Sequence, residues 1–588
     1  WLNSLQAVEN LITHHRLYEN IIVLEYELPY CNQRIDCTLF GQGIQGDRNV
    51  IVMELKQWSE VERADVEGNV LVPGPGGIHM VPHPALQVAG YHQLLQDFIE
   101  SFETEPRLFL SSCVYCHNYS KEKSPHLFAE PFRELLSRFP VFAKEDFEAL
   151  GEYLRKRLAK GAGLEVFHRF MQSPVRPSKK LLEYASRMIE GQKAFSLVNE
   201  QITANNTIID RVKKATRLPR KTVILIRGGP GTGKSVIALN AVAELARMGK
   251  IVFHATGSKS FTTTLQRITG KRAAALFRYF NSFKPASTPE NSIDALICDE
   301  AHRIRESSND RFTRRRMRST LPQIDELIRA AKVSVFFIDD HQVVRPGEIG
   351  SSQLIREAAK RWNAELWEFE LVSQFRCNGS DGYLAWVNNI LGLEENDKRI
   401  LTPADRMEFK IFPSPTALHQ AIMAKNQEKP NSARLVAGFC WPWSDPNPDG
   451  SLVPDVVIGD FAMPWEGREG KRLAPGIPPW FEWAYRPEGV HQVGCIYTAQ
   501  GFEFDYIGVI CGPDLVYNPH HTRWVGQPQR SYDPMLKRAQ GEEFTAYVKN
   551  VYRVLLTRGM RGCYVYFIDK NTEAFFRSRI DPHLLTPP

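Results

Sequence analysis

The 588-residue chain has no run of about eighteen apolar residues, so no membrane-spanning helix is expected. Its ten cysteines are scattered without an even framework, which argues against a disulfide scaffold and suits a reduced, cytoplasmic setting. A second Cys pair is also missing. Cys113-Val114-Tyr115-Cys116-His117 spells C-x-x-C-H, but it closes a strand-like run, 108–115, and nothing completes a zinc or iron–sulfur site. It reads as a chance match. Strong charge of one sign is absent too, and a formal +6 permits a polyanionic partner without requiring one. There is no initial Met; the sequence opens at Trp1 and is expected to start inside a longer one, with a lost targeting segment left open. Hydrophobic content of 43% and charged content of 24% describe globular protein. Several domains are expected, because single cores stop growing near about 250–300 residues.

What is present begins with Gly228-Gly229-Pro230-Gly231-Thr232-Gly233-Lys234-Ser235, a full match to G-x-x-x-x-G-K-[ST]. The apolar run Thr222-Val223-Ile224-Leu225-Ile226 before it reads as a buried strand, and residues 236–248 carry Ala and Leu at helical spacing. A loop so placed turns backbone N–H groups toward a phosphate, and the helix N-terminus adds partial positive charge. Gly229, Gly231, Thr232 and Gly233 are the expected cradle for ATP. Lys234 is expected at the β- and γ-phosphates and Ser235 on Mg²⁺.

Upstream, a helical opening leads into three strand-like stretches, 21–28, 34–40 and 49–56. Asp36 and the Glu54/Lys56 pair thus fall on adjacent strands, and alternation puts Glu54 and Lys56 on one face with Leu55 on the other. Two carboxylates on one face can hold Mg²⁺, and a neighbouring lysine can orient or activate the attacking water. Gln87 and Tyr91, spaced i, i+4, share a helix face. This set resembles the PD-(D/E)xK nucleases, especially the RecB-like branch with a Q-x-x-x-Y helix. The resemblance implies that Asp36 and Glu54 bind Mg²⁺ (Mn²⁺ substituting), that Lys56 is catalytic, and that Gln87 and Tyr91 position site and substrate. Solvated charges on an ordinary α/β module are the plainer alternative. An acid from the first helix, such as Glu9, could join the site but is not counted in it.

Residues 126–200 carry a helical pattern, with a basic face over 152–160 that reads as solvated. Ser173-Pro174-Val175-Arg176-Pro177-Ser178 reads as a break. The segment is expected to be a helical connector.

Beyond it, Gln201 can present its amide to adenine, although a surface glutamine is the default. Ala295-Leu296-Ile297-Cys298 ends in Asp299-Glu300-Ala301-His302, where Asp299 is expected on Mg²⁺ and Glu300 on the hydrolytic water. A further apolar strand, 333–338, leads to Gln342, a candidate γ-phosphate sensor. Arg376, in Ser373-Gln374-Phe375-Arg376, and Arg558, in Thr557-Arg558-Gly559, are candidate arginine fingers. Gly501 and Glu503, in Tyr497-Thr498-Ala499-Gln500-Gly501-Phe502-Glu503, join the nucleotide set. The series resembles superfamily 1 helicases, whose two RecA-like lobes carry such motifs. GFEFDYIGVI, NVYRVLL and TRGMRGCYVY further resemble the helicase-like domain that bacteria carry and that forms the C-terminal part of larger Schlafen proteins. Long insertions corresponding to accessory 1B and 2B domains are missing.

The expected fold is therefore α/β: a PD-(D/E)xK nuclease fold over 1–125, a helical connector over 126–200, and two RecA-like lobes with parallel sheets over 201–367 and 368–588. A Trp- and Pro-rich insert at 441–490 reads as its own small core, with base stacking as the alternative. The basic run 311–318 reads equally as a phosphate grip or a solvated loop. His520-His521 reads as a surface pair. The resemblance implies an ATP-dependent helicase or translocase coupled to a metal-dependent endo- or exonuclease, acting on DNA in processing or antiphage defence. An ATPase clamp that recruits a companion protein or second copy without unwinding, and an RNA-directed enzyme, remain open.

Overall fold

Strand alternation organises the N-terminal part of the computed structural model. The structure describes residues 1–29, 31–175, 181–192, 195–310, 313–375, 377–468 and 470–585. After helix α1 (Leu2–His14) come β1 (Ile21–Glu27), β2 (Arg34–Gln42) and β3 (Arg48–Lys56). Then follow α2 (Pro84–Phe98), β4 (Leu108–Cys116), β5 (Val141–Ala143), α3 (Phe147–Leu158) and α4 (Gly163–Met171). The sheet order is β1-β2-β3-β4-β5, antiparallel to β3 and parallel beyond it. On β3, Ile51, Met53 and Leu55 pack with α1 and with Leu150, Leu154 and Leu158 of α3 in one buried cluster. Period two then sends Glu54 and Lys56 to the opposite face. Pro84, as the first residue of α2, has no N–H to leave unsatisfied, and the His83 ring accepts from the Ala85 N–H at 3.2 Å.

By internal contacts the first unit is Trp1–Lys179 with Lys193–Lys213, and the second is Lys180–Gln192 with Lys214–Pro588. The stretch expected as a connector over 126–200 is therefore built differently. β5 is the fifth strand of the first sheet, and α3 lays an i, i+4, i+8 leucine stripe into its core, opposite the basic face. That stripe, not the charges, decides where the helix sits. Helix α5 (Leu181–Ile189) packs in the second unit, and α6 (Asn199–Lys214) returns to the first except for its last residue.

The second unit holds two parallel sheets. The first contains β6 (Thr222–Gly228), β7 (Val252–Thr256), β8 (Phe277–Tyr279), β9 (Ile293–Cys298), β10 (Ala331–Ile338) and β11 (Glu365–Leu371), in the order β8-β7-β9-β10-β6-β11. The helices α7 (Lys234–Arg247) and α8 (Lys259–Ile268) lie between its early strands. The second sheet contains β12 (Glu408–Ile411), β13 (Ala433–Ala437), β14 (Val493–Gly494), β15 (Phe504–Cys511) and β16 (Gly559–Phe567), in the order β12-β16-β15-β13-β14. Every pairing in both is parallel. All eight residues of β15 are buried, as expected of a parallel strand covered on both faces.

The Trp- and Pro-rich insert, expected to be its own small core, does not form one: Trp465 and Trp483 join the clusters that hold residues of β13, β15 and β16, because the apolar faces of the second sheet are what they cover. Trp465 and Trp483 are buried, and the indole N–H groups of Trp441, Trp443, Trp465 and Trp483 donate to the carbonyls of Val457, Glu466, Pro442 and Gln492. Indoles so engaged are part of a core rather than a free stacking platform. Among the described residues, no helix is long and apolar enough to cross a membrane.

Candidate functional site

In the second unit, the phosphate loop runs from the end of β6 to the start of α7. Gly231 and Gly233 take φ of +79° and +81°, a left-handed backbone that a side chain would strain. The Thr232 hydroxyl donates to the Gly229 carbonyl at 3.0 Å. Lys234 Nζ donates to the Gly228 and Gly229 carbonyls at 2.7 and 2.6 Å, so the ammonium sits within the loop that a triphosphate would fill. Phe375 N donates to the Gly231 carbonyl and Gln374 Nε2 to the Pro230 carbonyl, which seats residues 373–375, just past β11, against the loop. Arg376 itself lies outside the described residues.

Asp299 and Glu300 follow the end of β9. Asp299 is buried, and His254 Nε2 lies 3.6 Å from its Oδ2. Burial works against its charge, but His254 and Ser235 hold its carboxyl below the usual range. Glu300 adopts φ +52°, and burial pushes its carboxyl up against the opposing pull of Arg303. Asp339 is also buried, yet Arg553, Lys234 and the His341 N–H hold it far below the carboxylate range. Gln342 Nε2 donates to Asp339 Oδ2 at 3.0 Å and Arg553 Nη1 to the same oxygen at 3.3 Å. Asp339 thus joins Gln342 to Arg553, and its charge is felt by Lys234 of the loop.

The second sheet contributes from its facing loops. Arg558 is buried, donates to the Val554 and Phe502 carbonyls, and its charge reaches Glu300. Gly501, at φ +93°, lies against the Phe261 ring, and Glu503 is half-buried in the same loop. Gln500 is the link that sequence motifs undervalue. Its Oε1 accepts from Arg303 Nη2, and its Nε2 lies 3.1 Å from His302 Nε2. Gln201 belongs to the first unit by its contacts, and its Oε1 accepts from the Val198 N–H at 3.2 Å, a local helix cap.

The first unit carries the other set. Asp36 Oδ2 accepts from the Leu55 N–H at 2.8 Å. Glu54 Oε1 accepts from both Lys56 Nζ at 2.7 Å and Gln87 Nε2 at 2.8 Å, while Gln87 also donates to Tyr91 OH at 3.0 Å. All five sequence-selected residues therefore meet on one face of the sheet, under α2. Burial pushes Glu54 up to about 7, with Asp36 adding to the rise and Lys56 opposing it. Asp36 is raised by burial as well. Burial would neutralise Lys56, but Glu54 overrides it and keeps the lysine an ammonium. Glu54 Oε2 is buried without a hydrogen-bond partner. An uncompensated carboxylate oxygen beside a second carboxyl suits a divalent cation, so Asp36 and Glu54 fit Mg²⁺.

Several members of these sites escaped sequence reasoning, among them His254 beside Asp299 and Arg553 on Asp339. Asn199 Oδ1 accepts from Tyr91 OH at 3.2 Å across 108 residues. Glu25, at φ +53°, interrupts the ladder between Leu24↔Cys37 and Tyr26↔Ile35, opposite Asp36, and its charge raises both Asp36 and Glu54. Arg303 directly follows the Asp299–His302 box, an adjacency that could have drawn attention. Glu9 is exposed on α1. Cys113 and Cys116 are buried thiols pushed up by burial, and His117 Nε2 pairs with Ser4 Oγ at 3.0 Å, so C-x-x-C-H is structural here. His520 and His521 are exposed.

Among solved structures, the chain is similar to AMPPCP-bound DnaA from Aquifex aeolicus at 20% identity, covering 33% of this chain and 54% of that one, with a TM-score of 0.17. It thus spans about half the length of that protein. It is also similar to the Pif1 helicase from Candida albicans at 12% identity, covering 64% of this chain and 98% of that one, with a TM-score of 0.26. An uncharacterized protein of Saccharomyces cerevisiae is 26% identical over 388 residues, covering 59% of this chain and 82% of its own length. Residues 221–569, more than half of the chain and the span that holds the loop, Asp299, Glu300, Gln342 and Arg558, match the family described as Schlafen group 3, DNA/RNA helicase domain. The chain belongs to that Schlafen group 3 helicase-domain family.

Proposed function

We propose that the second unit is an ATP-driven motor on nucleic acid and that the first is a metal-dependent nuclease on the same chain. The observation that carries the motor is the convergence of Lys234, Asp299, Glu300, Gln342 and Arg558 from two sheets on one phosphate loop. Lys234 exchanges carbonyl oxygens for phosphate oxygens, Glu300 orients water, and Arg558 stabilises developing charge. Ser235 and Asp299 would hold Mg²⁺, which neutralises triphosphate charge. DNA is the first substrate proposed and RNA the alternative, with DNA processing or phage defence as the setting.

The nuclease reading is supported by the Asp36–Glu54–Lys56–Gln87–Tyr91 cluster and the unpaired Glu54 oxygen. Asp36 and Glu54 would hold Mg²⁺, which polarises a scissile phosphate and acidifies water. Lys56, as an ammonium, orients that water or stabilises charge instead of accepting its proton. Phosphate release and strand cleavage, measured for Lys56→Ala and Lys234→Ala on matched DNA and RNA oligomers, test both halves. Cleavage and turnover unchanged in both variants would defeat the reading. A clamp that hydrolyses ATP without unwinding is the second reading, motivated by the missing 1B- and 2B-type insertions, and strand displacement on tailed duplexes would remove it.

A further inference from the structure

A cavity of about 290 Å³ opens at the ends of β7 and β8, beside the Asp299–His302 box. Its wall includes Thr256, Lys259, Tyr279, Arg303, Arg305 and Asp310, three cations against one carboxylate. Arg305 makes no ion pair among the described residues; burial and the like charges of Arg345 and Arg303 outweigh the acids Glu348 and Asp310 and hold its guanidinium below the usual range. Side chains of this kind, with an aromatic among them, recognise a phosphodiester backbone.

Arg303 faces two ways. It borders the cavity, yet its guanidinium is 96% buried and reaches the hydrolytic carboxylate. Its Nε lies 3.1 Å from Glu300 Oε2, without the alignment of a hydrogen bond. Its Nη2 donates to Gln500 of the other sheet, and its Nη1 lies 3.9 Å from Glu348 Oε1. Glu348 is buried, and Arg345 engages its Oε1 at 3.0 Å while its Oε2 has no partner. Gly257 lacks the Cβ that would meet Arg303 Cβ at 2.6 Å, so the arginine passes close under the loop after β7. One guanidinium thus has two buried carboxylates within reach, one of them incompletely paired.

We propose that Arg303 is a latch: it holds Glu300 while the cavity is empty, and a nucleic-acid phosphodiester entering the cavity draws it toward the ligand and Glu348. Release leaves Glu300 free to orient the hydrolytic water, and Gln500 carries the shift to the second sheet. Nucleic acid then stimulates ATP turnover through a positioning residue, not through a new catalytic group. An element with two discrete pairings is what such coupling requires. The inference rests on the motor reading above and adds the means by which substrate is sensed.

The test measures phosphate release with and without dT20 or rU20, with inorganic phosphate as a control ligand. For Arg303→Ala we expect basal turnover to rise at least about fivefold and the stimulated-to-basal ratio to fall below about two, with KM for ATP within about twofold. A retained ratio, or stimulated turnover collapsing to the original basal rate, overturns the latch. Glu348→Gln removes the charged landing place and is expected to lower stimulated turnover several-fold. Stimulated turnover unchanged in Glu348→Gln overturns it as well, even if Arg303→Ala fails to fold. The Lys259→Ala/Arg305→Ala pair is expected to raise the oligomer concentration for half-maximal stimulation by about tenfold. No change there, or equal stimulation by inorganic phosphate, counts against a phosphodiester seat. Glu300→Gln separates the readings: if it keeps full turnover, the motor assignment fails; if it abolishes turnover while Arg303→Ala keeps its ratio, only the latch fails.

Discussion

The two candidate sites treat their buried aspartates in opposite ways, while Glu300 at the loop is raised by burial like Glu54. In the second unit, Asp299 and Asp339 are held below the carboxylate range, because His254 and Ser235 attend one and Arg553 and Lys234 the other. In the first unit, Asp36 and Glu54 are raised by burial, and a single lysine serves them. Burial costs a carboxylate its hydration in both places, so the difference lies in the hydrogen-bond donors and charges that the fold sets beside each one. Each site leaves one buried carboxylate oxygen without a hydrogen-bond partner, Asp299 Oδ2 and Glu54 Oε2, but the N-terminal pair has a single lysine to serve it. A divalent ion would complete it.

The largest effect that would break this comparison is at the loop. Lys234→Ala should lower ATP turnover on the order of a thousandfold, read by phosphate release, with metal-dependent cleavage measured without ATP retained. Next comes the buried Asp339–Arg553 pair, whose side chains are 2% and 5% exposed. Arg553→Ala takes the guanidinium from buried Asp339, leaving it only the Gln342 and His341 donors and the charge of Lys234, and should cost roughly 3 kcal/mol, read as a lower unfolding midpoint of the second unit. Lys56→Ala should reduce Mg²⁺-dependent cleavage on the order of a hundredfold and leave ATP turnover as it is. Loss of both activities together would show that the sites are not separable.

A pH titration sharpens the contrast. Glu54 must lose a proton to bind a cation, and its carboxyl stands at about 7. Mg²⁺ affinity at the N-terminal site should therefore climb roughly tenfold per unit as pH rises toward 7 and level off above it, measured by calorimetry. The sign also sets stability without metal: a raised carboxyl stabilises the fold at pH below its unfolded value, and that contribution is lost as pH rises through about 7. Asp299 and Asp339, being depressed, contribute stability above their unfolded values and lose it only as pH falls through the acid range. Nucleotide affinity should not change between pH 6 and pH 8 on their account. The smallest expected effect is in the insert. Trp443→Phe removes one indole donor to the Glu466 carbonyl and should cost about 1 kcal/mol.

Much of this was legible locally. The strand, loop and helix around Gly228–Ser235 follow from apolar runs and glycine placement, and their bounds match to within a few residues. Glu54 and Lys56 could be placed on one face because a strand alternates, and Gln87 and Tyr91 because a helix returns every four residues. The connector expected at 126–200 was less legible. Its basic face was visible, but the leucine stripe of α3 finds its partner on strands about a hundred residues earlier.

By itself, the sequence determined the chemistry available: a phosphate cradle, two pairs of acids, and the cations to serve them. Only the tertiary structure decided which cation attends which carboxylate. Arg303 meets Gln500 across 197 residues, Arg553 meets Asp339 across 214, and Tyr91 meets Asn199 across 108. Local periodicity sets the face a side chain occupies but carries no information about which distant face it will meet. The charge state of a buried carboxylate depends on that meeting, so the difference between the two sites belongs to the fold.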